Sequence, residues 1–142
     1  MEQSPNFQLQ GFVIPKFSFS EADSKYSTID IQLYPTGKYN TSNGQYELIM
    51  PFTASAFVEN QPNDKTEIIT GLFKAFFLID GKIQAASIPD YFYSNSLGII
   101  YPFLRGFISN ITLQAGTRLL ILPVLNLMSL GDVLKKNTVV FE

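Results

Sequence analysis

The sequence predicts an α+β fold, in which four β-strands are followed by one long and one short C-terminal helix. Three segments before position 60 alternate apolar and polar residues with the period of a strand, and a fourth segment before position 80 is largely apolar. After position 99 the apolar residues recur every three or four positions, which is the period of a helix. The length of 142 residues fits a single domain, 1–142, and no linker or repeat divides it.

The first strand is predicted over 7–19, "FQLQGFVIPKFSF", with one buried face. Pro15 cannot donate a hydrogen bond to a neighbouring strand, so this strand lies at an edge or breaks into two pieces there. The predicted buried face consists of the apolar residues at odd positions, Phe7, Leu9, Val13, Phe17 and Phe19.

Three further strands are predicted before position 80. "TIDIQLYP" alternates like the first, and the following "TGKYNTSNGQ" is predicted to be a turn or loop because it is rich in Gly, Asn and Ser. "YELIMPFTASAFVE" forms the third strand. The fourth, "TEIITGLFKAFFLIDGK", is apolar on both faces, so it is central or has something packed on its second face.

The helical half of the chain begins after a predicted crossover loop, "IQAASIPDYFYSNSLG". Helical periodicity favours a long helix over 101–116, with Pro102 in its first turn and Gly116 just past its end. The segment "LGDVLKK" is predicted to form the short second helix, where its two lysines are stabilised by the negative end of the helix dipole.

Composition excludes most common kinds of active site. The chain has no Cys, His or Trp, so it offers no thiol nucleophile, no Ser-His-Asp arrangement and none of the usual zinc sites. Its net charge is −2 and its ten Lys and Arg residues are scattered, which argues against nucleic-acid binding. No pattern points to a catalytic residue, a cofactor or a metal, and we therefore expect a protein that is not an enzyme.

The N-terminal residues "MEQSPNFQLQ" lack the basic and apolar regions of a secretory signal. No apolar stretch reaches the roughly 18 residues that suggest a membrane span. We therefore expect a cytoplasmic protein that does not insert into the membrane.

Three consecutive aromatic residues, Tyr91, Phe92 and Tyr93, are the first candidates for a binding surface. In a loop, all three cannot be buried in one core. Two interpretations stay open: they line a groove for an extended polypeptide, or they pack the crossover onto the sheet.

The apolar residues of the long helix cover about half of its circumference or more, although one stripe suffices to cover a small sheet. A second stripe could meet its equivalent on another subunit, while the alternative is a monomer whose short helix covers that stripe. The candidate oligomer-interface residues are Phe103, Leu104, Phe107, Ile108 and Ile111.

The helix opening "YPFLRGFISNITLQAG" and the following "LLILPVLN" resemble the signature of the SecB export chaperone family. Members of that family open the long helix with an aromatic-Pro-aromatic-x-Arg motif and continue through a Leu-x-Pro-x-Asn type segment. The matching residues are Tyr101, Pro102, Phe103, Arg105, Leu122, Pro123 and Asn126, with the second proline one position early. The first strand also resembles that of the family, and the likeness extends over nearly the whole chain.

The resemblance implies a four-stranded antiparallel sheet with the long helix on one face and a homotetramer built as a dimer of dimers. It also implies ATP-independent binding of unfolded or pre-secretory polypeptides for protein export, with no cofactor. On this interpretation the run after the long helix contributes to the client groove, and its candidate residues are Leu122, Leu125 and Leu127.

One departure from the family concerns the motor protein SecA, which docks on acidic residues of the sheet in export SecB proteins. Lys16 and Ser20 stand at the corresponding positions of the first strand, and Thr70 is near the one in the fourth. Because complementary charge guides partner choice, SecA docking is doubtful. The expected clients are then a restricted set, for example a toxin-antitoxin pair. A non-catalytic scaffold or small-ligand module is the alternative.

Overall fold

A computed structural model describes residues 6–22 and 25–142 and confirms the α+β class. Residues 1–5 and 23–24 are outside the described residues, so the first half of the segment considered for a secretory signal lies outside them. The described part contains six strands and two α-helices, with a short 3-10 turn before the first helix. The elements are β1 (Phe7–Phe19), β2 (Thr28–Leu33), β3 (Thr36–Asn40), β4 (Gln45–Phe57), β5 (Thr66–Ile79), α1 (Asp90–Gln114), α2 (Met128–Lys136) and β6 (Thr138–Phe141).

The predicted second strand continues further than its sequence pattern indicates. β2 and β3 both pair antiparallel with β4, from Leu33 opposite Phe52 to Thr36 opposite Ile49. β2 and β3 are therefore two segments of one long strand, which is interrupted at Tyr34 and Pro35. The prediction of a turn or loop throughout 36–45 is therefore wrong for Thr36–Asn40, which is strand.

The sheet has the order β1-β5-β4-β3-β6, with β2 also on β4. β1, the interrupted strand β2/β3, β4 and β5 pair antiparallel, as the resemblance implied. They correspond to the four predicted strands. β6 is an addition that no pattern predicted, and it lies parallel to β3. A strand of four residues near the end of the chain is too short to show a reliable alternation.

The buried face of β1 differs from the prediction because two bulges interrupt its pairing with β5. The register shifts between Leu9 and Gly11 and again between Val13 and Lys16. Each extra residue reverses which side chains point to which face of the sheet. Val13 is consequently exposed, and Ile14 packs against the core in its place.

Helix α1 covers one face of the sheet, and the core lies between them. It begins at Asp90, so the prediction of a crossover loop holds for 83–89 and is wrong for 90–98. Pro102 lies well inside the helix instead of in its first turn. Phe92 is fully buried in its first turns. Its ring centroid lies between 4.8 and 5.8 Å from those of Phe7, Tyr46, Phe77 and Tyr93.

Helix α2 packs against the N-terminal end of α1. The two helices approach closely at Gly131, where an added Cβ would lie 2.9 Å from the backbone nitrogen of Ser94. Lys135 forms an ion pair with Asp90 across the same contact. Because α2 lies at this end, it leaves Phe103 exposed in the middle of α1.

Candidate functional site

The aromatic triplet that the sequence singled out lies in the first turn of α1, and its three side chains have different environments. Tyr91 is exposed, whereas Phe92 and Tyr93 are buried in the core. Burial raises the pKa of the Tyr93 hydroxyl, while the nearby Lys135 opposes that rise. Phe92 and Tyr93 therefore pack the helix onto the sheet, which is the second of the two interpretations, and only Tyr91 offers surface to a partner.

The connecting segment, which we define as residues 115–127 between α1 and α2, carries the other predicted groove residues. Leu122 is buried, and Leu125 and Leu127 are partly buried against the core. The most accessible apolar side chains here are ones that the sequence analysis did not select. They are Leu119 at 46 % exposure, Ile121 at 62 %, Val124 at 86 % and, at the start of α2, Met128 at 73 %.

The signal for these residues was present in the sequence. "TRLLILPVLNLM" is a nearly continuous apolar run, and one short segment lying on a helix can bury only part of such a run. Alternation could not be used to tell which residues point inwards, since both faces are apolar. The choice of side depends on contacts with α1 that are distant in sequence.

The candidate oligomer-interface residues lie on two faces of α1. Leu104 and Ile108 are fully buried against the sheet, so they belong to the core of the subunit. Phe103 is exposed, and Phe107 and Ile111 are partly buried.

The outward face of α1 continues onto β1 through aromatic contacts. The ring centroid of Phe103 is 4.8 Å from that of Phe12, and that of Phe107 is 5.0 Å from that of Phe17. Phe12 and Phe17 are themselves exposed. An apolar surface of this kind, spanning two elements, is typical of an interaction site.

A shallow depression adjoins the connecting segment near the start of α2. Its volume is about 510 Å³. It is mainly apolar, and none of the described residues that line it is charged. The lining residues are Phe7, Ser94, Asn95, Gly98, Ile99, Leu127 and Met128.

A second depression, of about 380 Å³, lies on the sheet face opposite the helices. Phe76 on β5 and Phe141 on β6 stand exposed in it, around the polar side chains of Lys38 and Glu47. The sequence showed that the fourth predicted strand is apolar on both faces but did not single out Phe76, and Phe141 belongs to the strand that was not predicted.

The three positions that bear on SecA docking lie in or next to strands β1 and β5. Lys16 and Thr70 lie on the face opposite α1, where Ser18 is paired with Thr70. Ser20 follows the end of β1, and its amide donates to the Ile68 carbonyl at 2.8 Å. None of the three side chains carries negative charge.

Three ion pairs join charged side chains of the described residues. A hydrogen bond from Lys135 to the Asp90 carboxylate raises the pKa of this exposed ammonium group. Lys74 lies 3.8 Å from Glu47, and Lys65 lies 3.0 Å from Asp30. Within residues 6–22 and 25–142, no cluster of three or more acidic side chains is placed to hold a metal ion.

Comparison with known proteins identifies the architecture. No family model matches the sequence, and no curated protein is similar to it in sequence. The structure is similar to that of the Mycobacterium tuberculosis SecB-like chaperone Rv1957, solved in complex with a ChAD peptide from the Rv1956 HigA1 antitoxin. The TM-score is 0.67 at 13 % sequence identity, and the match covers 84 % of this chain and 90 % of the mycobacterial one.

The fold is therefore that of SecB-like chaperones, as the signature in the sequence predicted. At this identity the likeness concerns the fold, and function has to be argued from the surface. Of the helices in the described part of the chain, neither is both long and apolar enough to cross a membrane.

Proposed function

We propose that this protein is an ATP-independent chaperone, a holdase, which binds unfolded or pre-secretory polypeptides and serves a restricted set of clients. The observation that carries the proposal is the row of exposed apolar side chains on the connecting segment of a SecB-like fold. A surface of this kind is costly in water and is stabilised when an apolar chain covers it.

Weak sequence preference follows from the nature of this surface. Leu119, Ile121 and Val124 offer exposed apolar area, so many apolar segments bind comparably well. Release then requires a competing partner and no chemical step, which is consistent with a non-enzymatic role.

The restricted client set is supported by two observations. The mycobacterial chaperone of the same fold was solved with a peptide from one particular protein, an antitoxin. The neutral or basic side chains at Lys16, Ser20 and Thr70 in this chain disfavour docking of SecA, so transfer to the general export motor is not part of the proposal.

We also propose self-assembly through the outward face of α1, as a dimer or a dimer of dimers in the cytoplasm. Phe103, Phe107 and Ile111 carry this proposal, since they remain wholly or partly exposed beside the exposed aromatics of β1. Association of two such faces removes apolar surface from water.

A scaffold or small-ligand module is the second candidate function, and the depression around Phe76 and Phe141 favours it. Its volume lies in the lower part of the range of ligand sites, roughly 300–1,000 Å³. Saturable binding of a compact ligand there, without any binding of unfolded chains, would support this candidate against the chaperone.

The chaperone proposal is tested by binding of fluorescently labelled, reduced and carboxymethylated α-lactalbumin, a probe that stays unfolded in buffer. Replacing both Ile121 and Val124 by Ser is expected to weaken the affinity about tenfold, since each loses apolar contact area with the client. The matched control is Val139→Ser, because Val139 is 63 % exposed on β6 and Ile121 is 62 % exposed. Equal affinities for the wild type, the double variant and the control would contradict the proposed surface.

A further inference from the structure

The backbone of Leu120 is bound on one side to helix α1. Its amide donates to the Thr112 hydroxyl at 3.0 Å, and its carbonyl accepts a hydrogen bond from the Ser109 hydroxyl at 2.8 Å. Thr112 is itself buried and fixed by its own bond to the Ile108 carbonyl. The middle of the connecting segment is therefore held to the helix by its main chain as well as by its side chains.

Side chains along 119–122 alternate between solvent and core. Leu119 and Ile121 are exposed, while Leu120 and Leu122 have only 1 % of their surface accessible. This alternation with a period of two is that of an extended strand. The segment thus lies on α1 with the side-chain alternation of an extended chain, and none of the described strands pairs with it.

The opposite edge of this segment has free hydrogen-bonding groups. In an extended chain the amide and carbonyl groups of successive residues point to opposite sides, so those of Leu119 and Ile121 point away from the groups that hold Leu120. For the described part of the chain, neither of these two residues has a hydrogen-bond partner for its backbone amide or carbonyl. Unpaired groups in such a row form a template for another strand.

Both ends of the edge are fixed in place. The Arg118 guanidinium donates to the Tyr26 carbonyl at 2.7 Å and lies 4.3 Å from the centre of the Tyr26 ring. At the other end the Tyr101 hydroxyl donates to the Pro123 carbonyl at 2.7 Å. Pro123 has no amide hydrogen and its carbonyl is occupied, so the edge ends there. An edge fixed in this way loses little conformational entropy on binding.

We infer that the segment Arg118–Leu122 binds a client polypeptide as an added β-strand through the main chain of Leu119 and Ile121. This inference rests on the proposed chaperone function and specifies its binding mode. Backbone pairing explains tolerance of client sequence, while the exposed side chains of the same two residues favour clients with apolar residues at alternate positions. Client segments that contain proline in the paired stretch are expected to be excluded, because proline lacks the donor.

Amide hydrogen exchange of the full chain, with and without reduced and carboxymethylated α-lactalbumin, tests the inference directly. The amides of Leu119 and Ile121 are expected to exchange rapidly in the free protein and at least tenfold more slowly in the complex. The amide of Leu120 should be protected in both states, since it is bonded to Thr112. A complex in which the amides of Leu119 and Ile121 still exchange rapidly would overturn the inference and leave the proposed function intact.

Two other outcomes are equally decisive. Absence of any complex with the unfolded probe would contradict the proposed function and the inference together. Protection of Leu119 and Ile121 before the probe is added, lost on dilution, would assign the edge to a second copy of this chain and would overturn the inference.

A pair of variants at Ile121 separates backbone pairing from side-chain contact. Ile121→Pro removes the amide donor, and the extended Leu120 before it is compatible with proline. Ile121→Ala removes most of the side chain and keeps the donor. The proline variant should bind the probe about tenfold more weakly than the alanine variant, with an unchanged unfolding midpoint. Equal binding by the two variants would contradict pairing at this residue.

Discussion

Three buried tyrosine hydroxyls connect segments that are distant in sequence. Tyr39 donates to the Ile83 carbonyl at 2.6 Å, Tyr46 shares a hydrogen bond of 2.7 Å with Thr138, and Tyr101 donates to Pro123. Each bond satisfies a hydroxyl that would otherwise be desolvated without a partner. These tyrosines position the crossover before α1, the start of β6 and the connecting segment.

Replacement of Tyr101 by Phe tests this role at the proposed site. The variant loses the hydrogen bond to Pro123, and we expect its free energy of unfolding to fall by about 1 kcal/mol in urea unfolding. Tyr34→Phe is the control, because the exposed Tyr34 hydroxyl bonds only to the neighbouring Gln32 side chain. Equal losses for the two variants would show that the Pro123 bond contributes nothing specific.

Alkaline pH should destabilise the fold through its buried tyrosines. Burial raises the pKa of Tyr46 well above its ordinary value near 10, with a further small contribution from Tyr93, while the bond to Thr138 opposes the rise. The unfolded chain therefore releases this proton first. The stability that this group contributes is fully present below about pH 10 and is lost as the pH rises through the folded-state pKa.

The measurement is urea unfolding at about pH 8 and about pH 11 for the wild type and Tyr46→Phe. Between these values we expect the free energy of unfolding to fall less in the variant, because one coupled proton is absent. Comparing the change in the free energy of unfolding between the two pH values cancels the pH-independent loss of the Thr138 hydrogen bond in the variant. Identical pH dependence in both proteins would contradict the assignment to Tyr46.

Single residues also show where sequence reasoning was limited. The burial of Phe92 and Tyr93 depends on a helix that starts at Asp90, and "DYFYSNSLG" contains Ser, Asn and Gly, which are poor helix formers. Pro102 then suggested a later start. The spacing of the buried Tyr93, Leu97, Ile100 and Leu104 continues the helical period upstream and could have corrected that boundary.

At the scale of elements, the contact between α1 and α2 depends on a glycine. A Cβ at Gly131 would lie 2.9 to 3.0 Å from backbone atoms of Ser94, which cannot move without shifting α1. We expect Gly131→Ala to lower the free energy of unfolding by roughly 1–3 kcal/mol through overpacking. Gly98→Ala on α1 is the matched control, since the added Cβ meets no described atom within 4 Å apart from its chain neighbours and the backbone of its own helix.

The control should be neutral or stabilise the protein by roughly 0.5–1 kcal/mol, because alanine has the higher helix propensity. Chemical unfolding of the two variants beside the wild type gives both values. Equal destabilisation by the two substitutions would refute close packing at Gly131 as the cause.

Strand β1 shows what alternation in a sequence can and cannot establish. The pattern over 7–19 located the strand with its bounds. Pro15 indicated an edge strand or a break into two pieces, and β1 is an edge strand because β5 is its one partner among the described strands. The pattern could not reveal the bulges, because the one-residue shifts depend on the partner strand. The aromatic contact between Phe12 and Phe103 was missed for this reason.

At the scale of the whole molecule, the fold class and the order of the four predicted strands and two helices followed from periodicity, whereas β6 did not. The signature of the long helix indicated the SecB-like architecture. The sequence patterns did not predict which residues form the exposed binding surface. Tyr91 and Ile121 are exposed while Phe92 and Leu122 beside them are buried, and only the packing of α1 on the sheet decides between them.

Assembly is tested by placing a charge on the outward face of α1. Phe107→Asp should dissociate the proposed oligomer, because an unpaired carboxylate is costly to bury. Val139→Asp, on the sheet edge formed by β6, should leave the mass unchanged. Sedimentation equilibrium at several concentrations gives both masses, and an unchanged mass for Phe107→Asp would contradict the interface.

The central claim is that this chain holds unfolded polypeptides without nucleotide, and aggregation suppression tests it most directly. Chemically unfolded luciferase and citrate synthase are each diluted into buffer with and without a stoichiometric amount of the protein, and light scattering is followed. The account predicts that scattering is suppressed near an equimolar ratio and returns when Ile121 and Val124 are both replaced by Ser. Unaltered scattering with both substrates would contradict the holdase function and favour the scaffold or ligand module.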